Sequence, residues 1–181
     1  LKSSYALVAA GVVLGSLAHG GALYWGLVLM VALFAAAVSV YRALVEENAR
    51  LYFEKREQSA PFIRILIRAL VEGPDESRRE AARDLATRAA EKAFDRDLIA
   101  SEGACPPLVA LCRRGATDET RGAAAAALGN LAANALIRKR TLPASGAVDA
   151  LLALCRNPCD DGDGARSACT ALRNMAFDSE T

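Results

Sequence analysis

Histidine is almost missing from this chain: of its 181 residues one is histidine, one tryptophan and two methionine. Acid–base chemistry built on imidazole would therefore rest on His19 alone, with no companion residue to orient it. Acidic residues are missing from the first 41 positions, and between Lys2 and Arg42 there is no charge of either sign. Setting Lys2 aside leaves 21 of the 22 basic residues against 21 acidic ones, so the charged part of the chain is formally neutral. That balance excludes a general nucleic-acid binder, which needs a net basic footprint. The five cysteines, Cys105, Cys112, Cys155, Cys159 and Cys169, are odd in number and lack CxxC spacing. Neither a disulfide framework nor a zinc site is indicated, and a reducing or organellar compartment fits. There is also no phosphate loop, no dinucleotide fingerprint and no nucleophile beside its base. No enzyme activity, cofactor or metal is expected.

What the chain does have is a long apolar run, Tyr5 to Tyr41. As one helix it would extend about 55 Å at 1.5 Å per residue, too long for a hydrocarbon core of about 30 Å. A break at His19-Gly20-Gly21 divides it into a short span near Ser4 to Ala18 and a fuller one from Ala22 to Tyr41. The expectation is a two-helix transmembrane hairpin over residues 1–41. Gly11 and Gly15 form a GxxxG pattern, and Ala32, Ala36 and Ser39 give the second helix a small-residue stripe suited to close packing. Tyr24, Trp25 and Tyr41 stand where interfacial aromatics would. A cleavable signal ending at Ser16-Leu17-Ala18 is the competing reading. The chain begins at Leu1 without methionine, which is read as a processed protein that has lost a targeting segment.

From Arg42 the composition turns to charged, helix-favouring residues, which predicts a stalk helix over 42–59 leading out of the bilayer. Ser59-Ala60-Pro61 is expected to end or bend it, because proline disfavours helix in the residue before it. Phe62 to Val71 then reads as an apolar helix. Gly73-Pro74-Asp75 turns the chain, and Glu76 to Phe94 forms an amphipathic helix with Ala82, Leu85, Ala86, Ala89 and Ala93 on one face.

Beyond this point the sequence repeats. Ala124, Ala127, Leu128, Leu131 and Ala135 form one apolar helical stripe, and Ala168, Ala171, Leu172 and Met175 form it again. Asp118 is placed to cap the first of these helices and Asn134 to end it. Gly103-Ala104 and Gly146-Ala147 open equivalent helices 43 residues apart, with Cys105, Leu108, Val109 and Cys112 matching Val148, Leu151, Leu152 and Cys155. PDESR at Pro74 to Arg78 and TDETR at Thr117 to Arg121 are spaced by the same 43. Such a period belongs to helical solenoids, in which no unit can bury its own apolar face.

The segments GACPPLVALCRRGATDETRGAAAAALGNLAA and ASGAVDALLALCRNPCDDGDGARSACTALRNMA resemble the armadillo repeat family. The resemblance covers residues 60–181, about three units, the first degenerate because Thr87 and Arg88 stand in place of Asn130 and Leu131. It implies an all-α chain in which the hairpin is followed by a short right-handed solenoid with three helices per unit. The first helix would be short, as at Asp95 to Ser101 or Ile137 to Ala144. The second begins Gly-Ala, and the long third ends in LxNLA and lines a concave groove. Family members bind extended peptides or proteins there. In the nuclear-import receptors of the family a tryptophan lies four residues before the asparagine, whereas Ala126 and Thr170 hold those positions here, which argues against nuclear-signal binding. Asn130 and Asn174 are the candidates for contacting a bound chain, since a side-chain amide can pair with a peptide's donor and acceptor. The opposing reading has them holding helix ends within the solenoid.

Other constellations are weaker. Cys155 and Cys159 precede Asp160, Asp161 and Asp163, but the aspartates lack calcium-loop spacing and read as a solvated insertion. Cys105, Cys112 and Cys169 read as small core hydrophobes. Arg138-Lys139-Arg140 is a basic cluster on a first helix, ordinarily a wet face, which beside a membrane complex could meet acidic lipid or an acidic subunit. His19 is a candidate axial ligand only if the partner complex carries pigment or haem. The functional expectation is a membrane-anchored scaffold whose partners are protein subunits and the lipid bilayer. It would be an accessory subunit of an organellar complex of photosystem or respiratory type, in the chloroplast thylakoid or mitochondrial inner membrane. A tethered adaptor that recruits a soluble partner is the alternative.

Overall fold

Runs of alanine and leucine at helical spacing, separated by glycine or proline, leave the backbone one regular option, and every regular element among the described residues is a helix. The computed structural model describes residues 22–115, 117–156 and 163–176. The chain divides into two units, Leu1–Glu54 and Lys55–Thr181. In order the helices are α1 (Ala22–Glu72), α2 (Asp75–Glu91), α3 (Ala93–Ser101), α4 (Cys105–Arg114), α5 (Asp118–Leu131), a π-helical turn (Ile137–Thr141) that runs into α6 (Leu142–Ala144), α7 (Ala147–Arg156) and α8 (Asp163–Ala176).

The expected two-helix hairpin is not supported: among the described residues the N-terminal region is a single helix. The first arm, the break at His19 and the Gly11/Gly15 pair lie outside the described residues, and the second arm is part of the 51-residue α1. Within the first unit the large apolar side chains of α1 are exposed, Leu29, Met30, Leu33, Phe34 and Val40 among them. Ala32 and Ala36 are exposed as well, so no described helix packs on that stripe. The part of the helix from Trp25 onward includes an 18-residue window of mean hydropathy 2.2, none of it buried, and by length and composition it could cross a membrane.

The second correction concerns Pro61, which lies inside α1 rather than at its end. An interior proline removes one backbone bond and costs a helix about 3 kcal/mol. Burial on both sides of it opposes that cost, since Ala60, Ile63, Leu66 and Leu70 are all in the core of the second unit. Polar bonds hold the same segment. Glu102, just past α3, accepts from Arg64 Nε at 2.6 Å and from Arg56 at 3.5 Å, and the Arg88 guanidinium lies 4.3 Å from the centre of the Phe62 ring. The Arg64 hydrogen bond, aided by Arg56, outweighs burial and holds the Glu102 carboxyl below its ordinary range.

The repeats follow the expected outline with local differences. The amphipathic helix expected to reach Phe94 ends at Glu91, where Lys92 is extended and a new helix starts at Ala93, itself exposed. Gly103 and Gly146 both adopt positive φ, +84° and +75°, the left-handed conformation that ends a first helix and starts a second. Helix α5 is capped by Thr117, whose hydroxyl accepts from Thr120 N, and Asp118 is its first helical residue. Asn134 does not end α5, which stops at Leu131 and leaves Ala135 exposed; its Oδ1 accepts from Leu136 N and Ile137 N and caps the turn that follows. The core is continuous from Ala60 to Ala171, with Leu85, Leu98, Leu108, Leu128, Leu131 and Leu151 fully buried at its centre.

The third helices α2, α5 and α8 lie side by side, with α5 between the other two. A Cβ on Gly129 would come within 3.0 Å of the Ala171 Cα, and one on Gly122 within 3.3 Å of the Gly164 Cα. Backbones this close leave room for nothing larger than hydrogen. Gly129→Val should therefore lower the free energy of unfolding of the chain by about 2 kcal/mol, read from urea titration. Because the folded pKa of Glu102 is lowered, its contribution to stability is present above the unfolded value of about 4.3 and is lost as pH falls through the folded one. Stability of the parent chain should consequently fall below about pH 4 more steeply than that of Glu102→Gln, measured by thermal unfolding across pH.

Candidate protein-binding groove

Two sets of hydrogen bonds tie the third helices together, one at each end. At the C-terminal end Asn130 Nδ2 donates to Ala86 O at 2.8 Å, and Asn174 Nδ2 donates to Gly129 O at 3.2 Å. Each asparagine thus reaches the carbonyl just before the matching position in the preceding unit. At the N-terminal end Asp75 Oδ2 accepts from Thr120 Oγ1 at 3.0 Å, and Asp118 Oδ2 accepts from Gly164 N at 3.0 Å. These aspartates occupy the same place in PDESR and TDETR. The acid at the start of one third helix thereby satisfies a donor at the start of the next, where such donors are otherwise orphaned.

A third repeated bond comes from the first helices. Arg96 Nη1 donates to Ala89 O at 2.8 Å, and Arg138 Nη1 donates to Ala132 O at 3.2 Å, so an arginine holds the last turn of the preceding third helix in both units. This divides the basic cluster. Arg138 is buried and takes part in the fold, whereas Lys139 and Arg140 are exposed and keep the expected orientation toward solvent. Neither the aspartate rungs nor the arginine caps follow from the sequence on its own. The 43-residue spacing marks the aspartates as equivalent, but not what they bond to, and the arginines, 42 apart, fall off that spacing by one.

The exposed edges of the three helices form a channel. Between α5 and α8 lies a depression of about 200 Å³, lined by Ala126, Gly129, Asn130, Thr170, Ala171 and Asn174, with Arg166 and Ser167 at its side. It shares Ala126, Arg166 and Ser167 with a second depression of about 310 Å³ that reaches Arg83 of α2 and Glu119 of α5. The floor is made of small side chains. Exposed ion pairs mark its edges: Glu119 with Arg79 and Arg83, and Asp163 with Arg166 at 2.8 Å. Pairs this open to water contribute little to stability and exchange readily with an incoming charge. The two site asparagines are therefore brought into one channel, each half-buried, with one amide hydrogen given to the neighbouring helix. A –NH₂ group has a second hydrogen to offer, and its carbonyl is an acceptor.

The cysteines differ from the sequence reading at one position. Cys105 and Cys112 are buried, and burial pushes their thiols up to about 11 and about 12. Cys169, expected in the core, is exposed. Cys159 and the aspartates Asp160 and Asp161 lie outside the described residues, as does His19. Among the described residues no group of three or more histidine, cysteine or acidic side chains is placed to hold a metal ion.

Comparison with known proteins agrees with this geometry. Residues 95–133 match the family model described as Armadillo/beta-catenin-like repeat. Three solved structures are similar. An engineered protein is 28% identical with a TM-score of 0.58, over 63% of this chain and 46% of that one. A computationally designed armadillo repeat protein for modular peptide recognition is 28% identical with a TM-score of 0.55, over 60% and 44%. A designed armadillo repeat protein in complex with the peptide (KR)4 is 27% identical with a TM-score of 0.54, again over 60% and 44%. The chain spans less than half the length of these structures. No curated protein matches. The second unit has the armadillo-repeat fold, one typical of protein–protein interaction scaffolds.

The bond from Asn130 to Ala86 separates the two roles of that residue. Asn130→Ala should destabilise the chain by about 1 kcal/mol, and Asn130→Asp by more, because a carboxylate would face the Ala86 carbonyl. Urea unfolding of the two variants checks both values.

Proposed function

We propose that this protein is a membrane-anchored scaffold, with the apolar part of α1 seated in a bilayer and the armadillo unit docking a protein in its groove. The observation that carries the reading is the length of the apolar stretch between Trp25 and Tyr41, none of which is buried. A soluble surface rarely carries an apolar area of that extent unless something covers it. The stretch satisfies its own backbone, as a lipid-exposed segment must, and the Ser39 hydroxyl donates to Ala35 O at 2.8 Å. From Ala22 to Tyr41 the helix would rise about 30 Å, the thickness of a hydrocarbon core.

In its fuller form the proposal is a structural accessory subunit of a large organellar membrane complex of photosystem or respiratory type. The Ala-rich composition supports an organellar membrane, thylakoid or mitochondrial inner. The second reading is a tethered adaptor that recruits a soluble partner reversibly, and it is favoured by one observation. The channel between α5 and α8 presents exchangeable ion pairs and the Asn130 and Asn174 amides, a surface suited to reversible capture of a polar peptide.

Alkaline carbonate washing of native membranes should leave the full chain in the pellet and release a form lacking residues 1–54. After mild detergent extraction and size separation at high salt, an accessory subunit elutes with a large assembly and an adaptor elutes alone. Release of the full chain by carbonate would overturn the membrane reading.

A further inference from the structure

Cys155 and Cys169 have no part in the groove or its rungs, yet their sulfur atoms are 3.2 Å apart. One is on the second helix and the other on the third helix of the last described repeat, α7 and α8. Cys155 is half-buried and Cys169 is exposed, so an external reagent reaches one sulfur, and that sulfur touches the other. The pair is particular to this repeat. Cys112 occupies the place of Cys155 one unit earlier and makes the same weak bond, its thiol lying 3.9 Å from Arg121 O as that of Cys155 lies 3.8 Å from Ala165 O. When ALGNLA is laid on ALRNMA, however, the position of Cys169 is held by Ala125, fully buried and without sulfur.

We propose that Cys155 and Cys169 form a thiol-exchange site that reacts with a low-molecular-weight disulfide of the glutathione type and closes into a covalent link between α7 and α8. In the first step the Cys169 thiolate attacks one sulfur of oxidised glutathione. The glutathione S–S bond breaks, one glutathione leaves as a thiolate and takes a proton from water, and the other remains bonded to Cys169. In the second step Cys155 gives up its proton to solvent and attacks the Cys169 sulfur, expelling the second glutathione. Two protein thiols are oxidised, and one external disulfide is reduced to two thiols.

The order of attack follows from the surroundings. Burial and the bond to Cys169 push the Cys155 thiol up to about 11, so it is the resolving sulfur rather than the entering one. Closing the link requires the sulfurs to move from 3.2 Å to about 2.05 Å, a shift that side-chain rotation and small helix movement can supply. The cysteines are 14 positions apart, and the link would restrain α8, whose described packing partners are α5 and α7.

The test uses the full chain carrying Cys159→Ser, which removes the remaining thiol between the pair. After incubation with oxidised glutathione, remaining thiols are alkylated under native conditions, and the digested protein is mapped by mass spectrometry. The expected result is loss of two thiols per chain, a peptide linking Cys155 to Cys169 within one chain, and no retained glutathione. Cys155→Ser should retain glutathione on Cys169, and Cys169→Ser should take up none. In the linked form amide hydrogen exchange of α8 should slow, with helix content unchanged by circular dichroism. Glutathione remaining on Cys169 when Cys155 is present, or Cys169 linking two chains instead, would overturn the proposal. So would a Cys159–Cys169 link that displaces the Cys155 link in the unsubstituted chain.

Discussion

The close approach of α5 to α2 and α8 is the constraint on which the repeat unit depends. Alanine and glycine on the facing surfaces bring the backbones near enough for short side chains to reach across. Asn130 finds the Ala86 carbonyl, Asn174 the Gly129 carbonyl, Asp75 the Thr120 hydroxyl and Asp118 the Gly164 amide. Alanine buries little apolar area per residue, so such a surface specifies register weakly. The polar rungs supply what it lacks, because a helix shifted by one residue would leave these half-buried side chains without their partners. Leu85, Leu128 and Leu131 supply the apolar area behind the rungs.

The same small side chains determine the character of the groove. With Ala126 and Thr170 in the positions where import receptors carry tryptophan, the floor offers no ring to stack on an incoming chain. It offers amides, a hydroxyl and exposed ion pairs. A ligand held by these features is gripped by its backbone and its charges more than by large apolar side chains. The asparagines tie neighbouring helices together and also line the channel.

Much of the repeat was legible in the sequence because it rests on spacing. The period of 43, the Gly-Ala pairs at 103 and 146 that open the second helices and the apolar stripes are local patterns that one chain displays directly. Three features were not legible, each for a tertiary reason. Pro61 reads as a helix stop, but burial of Ala60, Ile63 and Leu66 carries the helix through it. Arg138 reads as part of a wet basic cluster, but the open last turn of α5 draws it inward. Cys169 reads as a core residue, but its place on α8 faces Cys155 and solvent together. The asparagines were identified, while their partners could not be, since a carbonyl 44 or 45 positions away leaves no local trace.

The π-helical turn at Ile137–Thr141 has a further meaning. Arg96 and Arg138 are equivalent caps, yet Arg96 is seven positions before its glycine, Gly103, and Arg138 eight before Gly146. A π turn is an α-turn widened by one residue, so it takes up the extra residue after Arg138 and offsets the one missing before it, where Arg138 is six positions from Ala132 and Arg96 seven from Ala89. Everything downstream keeps its phase, as a spacer in a stack keeps the plates aligned. The capping arginine can thus slide one place along its segment while the interior behind it stays as it was.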